Sequence, residues 1–447
     1  MHLAYTKPRG YSTARYTAFS FLNRLPRIMF FFRLLLSTLL VFALLPAAAG
    51  ENAETIFAAG KDRIVQVRLI DQAGNAKNAL GSGFVIADGG RIISNYHVVS
   101  GLVNHPGRFR AEYLAQNGET GKLALLDIDV VHDLALLRAE GFAPAPFSLR
   151  AQAPTMGVRL YSLGNPLDLG LTIVEGTYNG LLKKSLYERI HFTGSINPGM
   201  SGGPTLDGDG NVVGVNVATA GNQVSFLVPA KYVAQLLAHA SATPMDATVF
   251  GATVARQLLA NQDRYIGSLL ASAFASSDLE GYRVPGQIAD YVNCWGRTER
   301  EPRRLYHSVS YSCSTDENIF LSDELTSGAI QFSHRLWSTD DLSAFHFFHL
   351  LQNVASVDSP SFGGSDETMG NFRCESDFVE HAGLTSKVVF CLRRYRQFEG
   401  LYDVYQQALT LRDNRQLLQS SLMLSGVSAA NAAAFAQRYT EDIAWKP

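Results

Sequence analysis

A chain of 447 residues leaves room for two or three domains, and its 47% hydrophobic content supplies apolar side chains for sizeable cores. Lys and Arg number 38 against 40 Asp and Glu, a formal charge of −2, so no basic surplus points to nucleic acid. With 38 glycines and 18 tyrosines the composition suits a turn-rich, mainly β protein.

Residues 1–49 read as an export signal rather than as part of a fold. Lys7, Arg9, Arg15, Arg24, Arg27 and Arg33 form a basic, acid-free lead, followed by an apolar run from Leu34 to Leu45. Ala47 and Ala49 then offer the small residues of a cleavage site. Met29 is a candidate start, since Met29 to Ala49 makes a signal of ordinary length. The run is short for a bilayer span of about 20 residues, so membrane attachment is expected only if this segment stays uncleaved. The signal implies a periplasmic or secreted protein.

From Lys61 to Ile70 apolar Val65, Val67 and Leu69 alternate with Gln66 and Arg68, the pattern of a half-exposed strand. Gly81–Ile86, Arg91–Asn95, Phe109–Gln116, Lys122–Val131 and Leu134–Leu137 continue as short strands, with Asp88-Gly89-Gly90 as a hairpin turn. A second set follows at Gly157–Ser162, Leu171–Val174, Arg189–Thr193, Asn211–Val217 and Gln223–Leu227. Pro229 to His239 closes them as a helix, proline suiting its first turn. Two closed β units over residues 52–240 are the expectation.

Within this region His97, Asp133 and Ser201 stand in that order. Serine is a weak nucleophile until a base takes its proton, and histidine titrates in the right range. The histidine needs a carboxylate to fix its tautomer. Ser201 lies in Ile196-Asn197-Pro198-Gly199-Met200-Ser201-Gly202-Gly203-Pro204, where glycines permit a sharp turn. The same residues satisfy the Gly-x-Ser-x-Gly elbow of α/β-hydrolases, but that elbow needs a helix after the serine. Pro204 and Asp207-Gly208-Asp209-Gly210 forbid one here. Asp127 and Asp129 compete with Asp133 by proximity alone; the apolar Leu134-Ala135-Leu136 after Asp133 favours it.

Gly81-Ser82-Gly83-Phe84, the His97 segment, Asp133-Leu134-Ala135-Leu136, Gly164-Asn165-Pro166 and Asn197-Pro198-Gly199-x-Ser201-Gly202-Gly203-Pro204 together resemble the trypsin-like serine proteases of the HtrA/Deg type. The resemblance covers roughly residues 52–240. It implies a chymotrypsin-like double β-barrel with His97 as general base, Asp133 as its orienting partner and Ser201 as nucleophile. It also implies an oxyanion hole from the backbone N–H groups of Gly199 and Ser201. Protein or peptide substrates follow, with no metal or organic cofactor. Met200 departs from the asparagine usual before the nucleophile, and the family's aspartate is replaced around Thr193. No PDZ domain is recognisable, so the cage-like assembly of PDZ-bearing members is not carried over, and the oligomeric state stays open. By the same resemblance Ser195 lies at the base of the primary pocket, with Val215 and Phe226 on its wall strands. Lacking an acid at Ser195, the pocket is expected to take small or medium apolar side chains. The alternative is a protease-fold binding or chaperone module in which the Met200 loop stays collapsed.

Residues 241–251 read as a linker, and residues 252–447 as a separate α+β domain of unknown function. Helical spacing runs from Thr253 to Ser277, strands are expected at Ile288–Gly296, Leu305–Ser314, Ala329–Trp337, Gly370–Glu375 and Ser386–Arg394, and helices at Ser343–Gln352 and Leu401–Arg412. All four cysteines fall here. An even number in an exported chain favours disulfides, and local pairing, Cys294–Cys313 and Cys374–Cys391, is the expected connectivity. His346 and His349 have the i, i+3 spacing of metal ligands, but Phe345, Phe347, Phe348 and Leu350 around them favour an amphipathic helix.

Overall fold

The computed structural model describes residues 53–219, 221, 223–300, 305–354 and 362–446. The expected signal at 1–49 lies outside them. Strands β1 (Ile64–Asp71), β2 (Ala76–Ala87), β3 (Arg91–Ser94), β4 (Phe109–Ala115), β5 (Thr120–Asp129) and β6 (Leu134–Ala139) close into an antiparallel barrel ordered β1-β2-β3-β6-β5-β4. The alternating burial of β4 is the physical basis of closure: one face fills the interior with Phe109, Ala111, Tyr113 and Ala115, and the other meets solvent.

A second closed barrel follows, from β7 (Arg159–Gly164), β8 (Thr172–Leu181), β9 (Ile190–Phe192), β10 (Pro204–Leu206), β11 (Val212–Thr219) and β12 (Ser225–Pro229), ordered β10-β11-β12-β9-β8-β7. The fold is the chymotrypsin-like double barrel. Sequence periodicity does not reveal β10, because three residues are too few to show a period. A helix at Ala230–His239 ends this half.

Beyond it, Ala240 to Val249 contains one 3₁₀ turn, and Met245 N–H donates to Leu125 O at 2.8 Å, tying the segment to the first barrel. A 21-residue helix, Phe250–Leu270, then leads into a β-rich region. Its strands are β13 (Ser276–Leu279), β14 (Tyr282–Pro285), β15 (Val292–Glu299), β16 (His307–Thr315), β17 (Ile319–Ser322), β18 (Leu325–Ser327), β19 (Ile330–Ser338), β20 (Arg373–His381), β21 (Leu384–Arg394), β22 (Tyr402–Asp413), β23 (Gln416–Val427) and β24 (Ala444–Trp445). Seven form one antiparallel sheet, β15-β16-β19-β23-β22-β21-β20. Helices Phe250–Leu270 and Ala429–Glu441 contribute Tyr265, Ile266, Leu269, Phe435 and Tyr439 to a core shared with Phe332, Leu422 and Leu424 of the sheet.

The helix expected at Leu401–Arg412 is strand β22 instead. It lies in the sheet interior between β21 and β23, and every residue from Asp403 to Ala408 is buried. Burial on both faces erases the alternation that would have marked a strand. Two of its buried polar side chains have partners off the strand, Asp403 with Arg393 at 2.8 Å and Gln406 with Thr440 at 2.7 Å. The histidine pair sits on helix Ala344–Val354, where Phe347 is buried and Phe345 is 78% exposed, while His346 Nδ1 meets Ser343 Oγ at 2.9 Å.

Both disulfides join residues directly opposite each other on neighbouring strands, Cys294–Cys313 across β15/β16 and Cys374–Cys391 across β20/β21. The second holds an edge strand whose residues are all exposed, so β20 buries little to stay in place. Closing a loop of 17 residues contributes about 3 kcal/mol in the chain-entropy view. Replacing both Cys374 and Cys391 by serine should therefore cost about 3 kcal/mol, and amide exchange should accelerate first in Arg373–His381 while β19 and β23 stay protected.

Candidate active site

Strand β3 ends at Ser94, and after Asn95 the chain turns at once into a helix, Tyr96–Asn104. His97 thus stands in a first helical turn, where backbone N–H groups lack intrahelical partners. Asp133, in the tight turn between β5 and β6, supplies the acceptor. Its Oδ1 takes the His97 N–H at 2.8 Å, and its Oδ2 meets His97 Nδ1 at 2.7 Å. The aspartate so caps the helix and grips the ring together. Because a carboxylate only accepts, Nδ1 carries the proton and Nε2 is left as the basic nitrogen.

Asp133 holds a left-handed conformation, φ 61°, that few side chains adopt. Asn95 Nδ2 braces it by donating to the Asp133 carbonyl at 2.7 Å. The competing carboxylates are engaged elsewhere: Asp129 binds His132 Nδ1 at 2.6 Å, and Asp127 caps Ile128 N–H at 2.8 Å. Burial opposes a charge on His97, but the charge and hydrogen bond of Asp133, and then the charge of Asp323, outweigh it and raise its pKa above 6.5.

Ser201 lies in the connection between β9 and β10. Three glycines shape it by close approach. A Cβ at Gly199, φ +94°, would lie 2.4 Å from Asn165 O; one at Gly202 would lie 2.9 Å from Asn95 N; one at Gly203 would lie 2.1 Å from Leu163 O. The Gly202 contact brings the serine loop against the segment that carries His97. A turn and then strand β10 follow the serine, not the helix of a hydrolase elbow. Met200 is fully buried among Leu160, Tyr178, Phe192 and Leu227, so it anchors the turn in the second barrel's core. Among the described residues, neither the Gly199 nor the Ser201 N–H is spent on a hydrogen bond. Ser201 Oγ donates to Val217 O at 3.5 Å, and among the described residues it makes no hydrogen bond to His97.

Two side chains that the sequence reading left without a role hold this loop. Ser82, in Gly81-Ser82-Gly83, donates Oγ–H to Gly199 O at 2.7 Å and accepts from Asn165 N–H at 2.8 Å. Its own N–H donates to Ser201 O at 2.7 Å. Asn216, fully buried on β11, donates from Nδ2 to Leu163 O at 3.0 Å and to Met200 O at 3.1 Å. Ser162 and Thr205 hydroxyls satisfy its Oδ1 at 2.8 and 2.7 Å. The motif at Gly81–Phe84 was a signal for Ser82; an asparagine inside an apolar strand was the signal for Asn216.

The three expected pocket residues part company. Phe226 lines a cavity of about 700 Å³ together with His97 and Val217. Val215 is fully buried in a barrel core, because a bulge between Asn216 and Ala218 hands the cavity-facing position to Val217. Ser195 is exposed and does not line that cavity.

Ser82→Ala removes two buried hydrogen bonds and leaves Gly199 O and Asn165 N–H without their partner. A loss of about 1–3 kcal/mol in unfolding free energy is expected, measured by denaturant titration.

Residues 81–215 match the family described as trypsin-like peptidase domain. The chain is 30% identical to human serine protease HTRA3 over 173 residues, 36% of this chain and 38% of that protein. It is 31% identical to the chloroplastic Protease Do-like 1 of Arabidopsis thaliana over 166 residues, 33% of this chain and 36% of that one. It thus spans little more than a third of the length of these relatives. The crystal structure of a serine endoprotease from Yersinia pestis aligns at 23% identity and a TM-score of 0.37, covering 42% of this chain and 65% of the other. The chain contains a trypsin-like peptidase domain of the HtrA type.

Proposed function

We propose that this chain is an exported serine endopeptidase that cuts protein or peptide substrates through an acyl-enzyme on Ser201, acting in the periplasm or outside the cell, with quality control of exported proteins as its role. The observation that carries the reading is the doubly bound Asp133, which fixes His97 with Nε2 free as a base beside a serine loop whose two N–H groups are unspent. In the first step Ser201 Oγ turns from Val217 O to His97 Nε2 and gives up its proton while attacking the substrate carbonyl. The imidazolium that forms is stabilised by Asp133, and the oxyanion is received by the N–H groups of Gly199 and Ser201. The proton on Nε2 then passes to the leaving amine, and water repeats the sequence to release the acid. Val217 and Phe226 offer an apolar wall, which supports cleavage after small or medium apolar residues.

A second reading, a peptide-binding module without turnover, draws on the position of Ser201 Oγ away from the imidazole. Triads without substrate are often loose and tighten on binding, which favours the first reading. Labelling with a fluorophosphonate separates them. The parent chain should label, and Ser201→Ala should not label and should lose about 10⁴–10⁶-fold in peptide hydrolysis. A parent chain that stays unlabelled supports the binding module.

Only the neutral imidazole can act as base, so kcat/KM should rise with pH through a midpoint above 6.5, in line with the raised His97 pKa. Asp323→Asn removes one of the negative charges that hold this proton and should move the midpoint to lower pH, read from a pH–rate profile.

A further inference from the structure

The helix that carries His97 is covered by a hairpin from far downstream in the chain. Ile319 and Leu321 of β17, with Leu325 of β18, are buried in the same apolar cluster as Tyr96, Val98 and Val99. Phe320 between them is only partly buried against that cluster and also lines the cavity beside His97. There its ring meets the His97 ring edge-to-face, centroids 5.9 Å apart and planes at 72°.

The hairpin is clamped to both barrels. Leu321 O accepts from Asn104 Nδ2 at 2.7 Å and from Tyr96 OH at 3.2 Å, both on the histidine helix. The Glu317 carboxylate accepts from Leu186 N–H at 2.8 Å, from Tyr187 N–H at 3.2 Å and from the Ser185 hydroxyl, all in the β8–β9 connection of the second barrel. The β5–β6 turn ahead of Asp133 is short, so the first barrel itself supplies little beyond Val130 and Val131 to wall the cleft above the imidazole.

The hairpin does not fill the cleft. Phe320 and Ile319 share the cavity of about 700 Å³ with His97, Val131, Val217 and Phe226. On the other side of His97, Ser322 to Leu325 border a second cavity of about 430 Å³. A plug would abolish the first space; a wall leaves it open and shapes it.

We propose that the hairpin Glu317–Leu325 is a built-in wall of the substrate cleft, and that Phe320 selects an apolar substrate side chain next to the residue whose carbonyl is attacked. This rests on the endopeptidase reading for its orientation of the substrate. Phe226 and Val217 take the residue at the cut, and Phe320 with Val131 forms the apolar seat for the residue before it. The wall comes from the C-terminal region, which is thereby a specificity element of the peptidase domain.

Binding and chemistry are separated by working in a Ser201→Ala full chain. The probes are fluorescein-labelled peptides with alanine at the expected cut and Leu, Gly or Glu immediately before it. The Leu peptide should bind about tenfold more tightly than the Gly peptide, and Phe320→Ala should erase that difference, whereas Phe320→Leu should keep most of it. An undiminished Leu preference in Phe320→Ala overturns the proposal, as does the absence of such a preference in the Ser201→Ala chain. Tighter binding of all three peptides by Phe320→Ala also overturns it, since that is the signature of a plug. Fluorophosphonate labelling of the chain with Ser201 intact reports separately: its failure removes the endopeptidase reading, while the binding comparison still judges the hairpin.

Discussion

A single hydroxyl holds the two halves of the site in register. His97 and Asp133 belong to the first barrel and Ser201 to the second, so no strand pairing within either barrel sets the distance between them. Ser82 does so from β2, using its hydroxyl as donor and acceptor at once and its backbone N–H on Ser201 O. The flanking glycines are part of this device. A Cβ at Gly81 would strike Val98 of the histidine helix at 2.5 Å, and one at Gly83 would lie 3.0 Å from Ile93 O on β3, so β2 can press against that helix and that strand only without side chains there. Asn216 completes the frame from below, every polar atom of its amide having a protein partner. A fully satisfied buried amide is rigid as well as stable, because any displacement breaks several bonds together.

The acid side of the site shows how one carboxylate serves fold and chemistry. Asp133 satisfies a helix N-terminus that has no side-chain cap of its own and orients the ring of the same residue whose N–H it accepts, His97. Its left-handed backbone is tolerated because Asn95 and the helix N–H over-determine its position. The helix and the His97–Asp133 pair therefore stand or fall together.

Much of this was legible in the sequence, for identifiable reasons. Strands such as β4 were readable because one solvent-facing side preserves alternation, whereas β10 is buried throughout and too short to show a period. The residues proposed as a triad were singled out by their order and by the chemistry each would supply. What could not be read was the helix after Asn95, masked by the apolar run of the preceding strand, and β22, whose two buried faces imitate a helix. Val215 lies buried in the barrel core while Val217 lines the cavity, and the bulge between Asn216 and Ala218 that sets them apart leaves no mark in composition. Phe320 and Glu317 were beyond reach for a different reason. Their partners are 130 and more residues away in sequence, and no local pattern encodes so distant a contact.

The placement of the hairpin bears on when the cleft comes into being. The chain is made from its N-terminus. Every residue of the two barrels has emerged before Phe320, and the cleft above His97 has no C-terminal wall until the sheet that follows has folded. A chain assembled in this order acquires the hairpin beside His97 last. Until then it would offer a broader groove to any neighbouring chain, its own unfolded C-terminal third included.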